Sequence, residues 1–117
     1  MPTQSLLLLP ATNTVSVDTS TFTYSDKVKS NGYYNSGNGL HTAVFILDQF
    51  NGIVKLQGTL AVDPTANDWF DLHDTTIDTT DSTQRPAEYR NFYGNFVWVR
   101  AAYNLQNGTI REIRYNH

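Results

Sequence analysis

The sequence predicts an all-β protein, a single β-sandwich or jelly-roll-like domain, and three observations carry that prediction. No stretch longer than a few residues repeats apolar positions at helical spacing, whereas alternation of apolar and polar residues recurs along the chain. Thr, Val, Tyr and Phe, which suit a pleated half-buried surface, fill the alternating segments. Two Asn-Gly pairs, Asn51-Gly52 and Asn107-Gly108, interrupt the two best alternating runs, and both residue types tolerate the positive φ of tight hairpin turns.

Taken in order, each pair predicts an antiparallel hairpin. A two-residue loop at Asn51-Gly52 sets Phe50 opposite Ile53, Asp48 opposite Lys55 and Leu47 opposite Leu56. One face then carries Ala43, Phe45, Leu47, Val54, Leu56 and Leu60, with Phe45 lying across Gly58. A one-residue slip would mix the faces, so pattern and turn agree. At Asn107-Gly108 a three-residue loop with Gly108 left-handed in a bulge is the better register, placing Ala101 opposite Ile113 and Val99 opposite Tyr115. The expected core includes Phe45, Val97, Val99 and Ile113.

The flanking segments are less regular. Residues 13–17 and 19–24 read as edge-type strands, residues 30–39 as a Gly/Asn-rich loop, and residues 68–72 as a short strand. Residues 75–86 are polar and predict a long loop of the kind that often binds. The domain organisation is an N-terminal arm or first strand over residues 1–12, then one β-sandwich over residues 13–117. Leu6, Leu7, Leu8 and Leu9 have three readings: a strand in the chain's own core, an arm added to a neighbour's sheet edge, or an insert in a partner's groove.

Composition bounds the function. Charged residues are 16% of the 117, below the usual share of about 25%, and aromatic residues are 13%, so the chain should fold rather than remain disordered. Eight basic residues face eleven acidic ones for a net charge of −3, which argues against general nucleic-acid binding. Cysteine is absent, and four leucines fall far short of a signal-peptide apolar region or a membrane span. The chain therefore reads as made in the cytoplasm with no membrane partner.

No catalytic motif stands out, and no enzyme activity is expected. Asp71-Leu72-His73-Asp74 is the most enzyme-like run, but on a strand Asp74 points away from Asp71 and His73, and no nucleophile accompanies them. Asp63, Asp68, Asp71, Asp74, Asp78 and Asp81 offer oxygen ligands to a hard cation, yet they lack the spacing of a calcium loop. We read them as a solvated acidic loop, and no cofactor is expected. His41 and His117 have no ligand spacing. Tyr33 and Tyr34 form the predicted surface aromatic pair, and with Leu6 to Leu9 they are the candidate interface residues. With Trp69 or Trp98 the two tyrosines also offer a platform for a sugar ring.

The order of several short motifs in the second half carries a resemblance. Residues 50–60 (Phe-Asn-Gly-Ile-Val-Lys-Leu-Gln-Gly-Thr-Leu), Asp68-Trp69-Phe70, residues 94–101 (Gly-Asn-Phe-Val-Trp-Val-Arg-Ala) and residues 107–110 (Asn-Gly-Thr-Ile) follow one another. That succession resembles small virion structural proteins of tailed bacteriophages, particularly contractile-tailed marine phages. The resemblance implies a non-enzymatic β-sandwich serving as a capsid decoration, collar, baseplate or fibre-associated component. Its partners would be other virion proteins and copies of itself, with a host surface glycan as the alternative partner. It implies no catalytic residues, and it leaves the first forty residues unmatched.

Overall fold

Strand structure runs on through Asn51-Gly52 and Asn107-Gly108, and this decides the architecture. The computed structural model describes residues 5–12, 22–34, 39–79 and 86–117. Its frame is two long antiparallel strands, β4 (Leu40–Thr59) and β8 (Trp98–Asn116), paired from Thr42↔Asn116 to Thr59↔Trp98. At about 3.3 Å per residue the 20 residues of β4 would extend about 66 Å, yet the molecule's longest dimension is 39 Å. The ribbon therefore bends.

The bend lies where the two Asn-Gly pairs meet, with Asn51 opposite Asn107. Between the pairs Asp48↔Thr109 and Asn51↔Asn107, β4 spends one more residue than β8, and Gln49 takes φ of 50°. One step later β8 has the extra residue, because Gly52 pairs with Leu105. Such unpaired residues kink a ladder and increase its twist. Gly52 (φ 151°) and Gly108 (φ 79°) supply the rest. A Cβ at Gly52 would fall on the Asn104 carbonyl, and one at Gly108 on the carbonyls of Gln49 and Asp48.

Because β4 gains a residue at the bend, the parity of its inner residues changes. His41, Ala43, Phe45 and Leu47 are buried before it, and Phe50, Gly52, Val54, Leu56 and Gly58 after it. The same ribbon face thus stays inside, and its two halves wall one core. The first half is flanked by β1 (Ser5–Leu9) on β8 and by β7 (Ala87–Tyr93) on β4. In the second half, β2 (Thr23–Tyr24) and β3 (Val28–Lys29) pair with β8, while β5 (Phe70–Asp71) and β6 (Ile77–Asp78) pair with β4. A single helical turn, α1 (Asn31–Tyr34), follows β3.

The all-β class holds, but both hairpins are corrected. Asn51-Gly52 and Asn107-Gly108 do not reverse the chain; they are facing kinks in one ribbon. Phe45 pairs with Ile113 instead of covering Gly58, Leu56 pairs with Ala101, and Gly58 pairs with Val99. The space beside Gly58 is filled by Leu72 and Phe96, whose nearest atoms lie 3.0 and 3.1 Å from where a Cβ would stand. Lys55 pairs with Asp71 at 2.9 Å rather than with Asp48. Of the expected apolar face only Leu60 is outside, 65% exposed, and Val97 is half-buried rather than core.

Residues 75–79 are better ordered than a polar loop. The Thr75 hydroxyl donates to the Leu72 carbonyl (2.9 Å) and accepts from the Leu56 amide (3.1 Å). Thr79 does the same at the bend, donating to the Phe50 carbonyl (2.9 Å) and accepting from the Gly52 amide (3.1 Å). Both side chains are buried and satisfy backbone groups of β4 that would otherwise be orphaned. The predicted strand at 13–17, the first half of that at 19–24 and residues 80–85 of the predicted loop lie outside the described residues.

Gly52→Ala and Gly108→Ala should each lose about 2–5 kcal/mol, combining a left-handed backbone penalty with a clash. Gly39→Ala, also at positive φ but with its nearest neighbour 3.5 Å away, should lose only about 1–2 kcal/mol. Urea unfolding of the three variants measures this. Equal losses would remove the special status of the bend.

Candidate functional site

Three features outside the bare scaffold have chemistry to offer: a buried polar relay, an apolar outer sheet face, and an arginine held between rings. The relay joins the two halves of the core. The His41 Nε2 lies 2.7 Å from the Gly94 carbonyl, which can only accept, so Nε2 carries the proton. Nδ1 then accepts from the Tyr115 hydroxyl at 2.7 Å, and Tyr115 in turn accepts from Ser30 Oγ at 2.6 Å. Asn31 continues the relay, accepting from the Phe96 amide (3.1 Å) and donating to Gly94 O (3.1 Å) and Asn95 Oδ1 (2.9 Å). Around it the rings of His41, Phe92 and Tyr115 stack nearly parallel.

A His-Tyr-Ser chain resembles catalytic machinery on paper. Here all three residues are fully buried, so no atom of the chain is presented to a substrate. Its role is to satisfy polar groups that burial would otherwise penalise by about 1–3 kcal/mol each. Burial also holds the His41 pKa below its ordinary value, opposed by the hydrogen bond to Gly94 and aided by the charge of His117. His117 is likewise buried and lowered, with the Lys29 backbone opposing, although neither ring nitrogen makes a hydrogen bond of good geometry. The Tyr115 hydroxyl is pushed far up by burial.

The outer face of the first half is different in kind. Registration across four strands places Leu7, Arg114, Val44 and Tyr89 in one row. Ile46 and Ala87 lie beside them, and Leu40 pairs with Tyr93. Tyr89 and Tyr93 are 65% and 75% exposed and Leu7 is 48% exposed. The charges on this face are internally paired, Arg114 Nε lying 2.7 Å from Glu112.

On the outer face of the second half, Arg100 is held on three sides. Its guanidinium carbon is 3.8 Å from the Tyr24 ring centre and 4.2 Å from that of Trp69, while its Nε donates to Gln57 Oε1 at 2.9 Å. Gln57 passes the contact on, donating to Asp71 at 3.0 Å, and Asp71 also takes the Lys55 ammonium. Partial burial alone would raise the Asp71 pKa, but Gln57 and Lys55 outweigh it and hold the carboxyl low. Burial lowers that of Arg100, opposed by Tyr24.

The residues predicted from sequence divide between core and surface. Leu8 and Leu9 are buried and Leu6 packs against the core, so the run is chiefly a strand of the chain's own sheet; Leu7 alone faces outward. Tyr33 and Tyr34 are 42% and 47% exposed, as a surface pair should be. Their rings are already engaged: Lys29 sits over Tyr33, Trp98 packs against it, and His117 stacks on Tyr34. Asp71, His73 and Asp74 are exposed without forming a constellation. Among the described residues no three His, Asp or Glu side chains converge to hold a metal, and Asp81 lies outside them. Tyr89, Tyr93 and Arg100 were missed as site residues. The alternation of the 87–93 segment was the available signal for the tyrosines.

Both lowered histidines make stability depend on pH. In the unfolded chain a histidine takes up its proton near pH 6.5, whereas His41 and His117 in the fold resist until lower pH. The unfolded state therefore binds more protons below pH 6.5, and stability should fall as pH drops from about 6.5 toward 5. Urea midpoints across that range measure the slope, and His41→Gln should flatten it. A flat wild-type profile would contradict the assignment.

No protein-family model and no curated protein matches the chain.

Proposed function

We propose that this chain is a non-enzymatic virion structural protein of a tailed bacteriophage that works through contacts with copies of itself and with other virion proteins. The observation that carries the contact role is the outer face of the first half, where Leu7, Val44, Tyr89 and Tyr93 stand on a sheet with no layer over it among the described residues. Exposed tyrosines and aliphatic side chains on a rigid, nearly charge-neutral face are the composition of interface centres. β7 lies at the sheet margin, pairing only with β4 among the described residues. The virion setting rests on the motif succession in the second half of the sequence.

The physical demands of such a role fit this fold. A repeated particle component needs a stiff body whose contacts are multiplied by symmetry. The doubled ribbon provides stiffness, because each half of it is flanked by further strands on both sides.

Sedimentation velocity of the purified protein should show concentration-dependent association, and Tyr89→Ser with Tyr93→Ser should weaken it at least about tenfold, the scale of a lost interface anchor, with an unchanged far-UV spectrum. Mass spectrometry of purified particles should find the chain among the structural proteins. A protein that stays monomeric at high concentration and is missing from particles would overturn the proposal.

A further inference from the structure

Arg100 lines a cleft of about 380 Å³ together with Ser25, Asp26, Lys27, Pro64, Thr65, Ala66 and Trp69. That volume is at the small end of small-molecule sites. The ring centres of Tyr24 and Trp69 lie 3.8 and 4.2 Å from the guanidinium carbon, so both rings pack on the group. Gln57 takes Nε. What remains is the edge bearing the two terminal nitrogens, and among the described residues no carboxylate meets it. A fork of this kind, fixed before a ligand arrives, matches the two oxygens of a carboxylate. Lys27, whose ammonium lies 4.9 Å from the Trp98 ring centre, adds a second positive charge, with no acidic partner among the described residues.

Asp26 narrows the ligand further. Its exposed carboxylate, which forms no ion pair among the described residues, lines the same cleft. It repels a polyacidic segment but accepts hydrogen bonds from hydroxyls. The Ser25 and Thr65 hydroxyls are already donating, to the Asp26 carbonyl and to Asp68. A fitting ligand brings one carboxylate for Arg100 and several neutral donors for Asp26, with a compact body that rests on Pro64, Ala66 and the Trp69 edge. We infer that the cleft binds a carboxylated sugar residue, with Arg100 gripping the carboxylate and Asp26 the hydroxyls. This site shares no residue with the contact face, so either reading can fail alone.

Titration of the full chain with sodium glucuronate and sodium N-acetylneuraminate, followed through the Arg100 Nε–H resonance and tryptophan fluorescence, tests the inference. At least one of these acids should bind with a Kd on the order of 1 mM, and glucose should not bind. Arg100→Lys keeps the charge but loses the fork, and should weaken binding about tenfold. Asp26→Asn removes an exposed carboxylate; it should weaken the sugar acid while strengthening acetate. N-acetylglutamate binding as well as the sugar acids would overturn the sugar assignment. Binding of neither acid, or equal binding by Arg100→Lys, would overturn the site.

Discussion

The close approach of two backbones at the crossing of Asn51-Gly52 with Asn107-Gly108 is the constraint on which the rest depends. Two long strands with continuous apolar alternation bury nothing from each other if the ribbon stays flat, because one face of each half then looks into solvent. Folding the ribbon turns the two faces inward on a common core. The fold requires unpaired residues, positive φ and carbonyl contacts that exclude a Cβ, and all of these coincide at this crossing. Thr79 completes it by satisfying the Phe50 carbonyl and the Gly52 amide from a third segment.

Once the ribbon is bent, the polar relay follows. Ser30 comes from the segment after β3, beside the second half, while Tyr115 and His41 belong to the first. Their hydrogen bonds tie the far ends of the two halves together opposite the bend. The relay is buried and the first half's outer charges are paired, so among the described residues the chemistry available to partners is on the outer faces. Those faces differ: one is aliphatic and tyrosine-bearing with its charges matched, the other holds an immobilised cation whose outer edge meets no carboxylate among the described residues.

Much of the inner surface was legible in the sequence. Ala43, Phe45, Leu47, Val54, Leu56, Val99, Ala101, Tyr103, Ile113 and Tyr115 are all buried as alternation requires, because alternation is a property of each strand whatever its partner. Pairing was not legible. An Asn-Gly pair accommodates positive φ equally in a reversing turn and in a kinked strand, and the choice is made by a second strand more than forty residues away. Facing glycines also carry no local signature of their mutual dependence. The Arg100 stack was hidden for the same reason, since Tyr24, Gln57 and Trp69 come from three separate segments. Tyr33 and Tyr34, adjacent in a turn-rich stretch, needed no such assembly to be seen at the surface.

Interstrand backbone NOEs in solution test the bent ribbon most directly. The account predicts contacts between Asn51 and Asn107, Phe45 and Ile113, and Val54 and Tyr103, on both sides of the bend in one sample. Local contacts joining Asp48 to Lys55 and Phe50 to Ile53, with those long-range pairs missing, would show that each Asn-Gly closes its own hairpin and would contradict it.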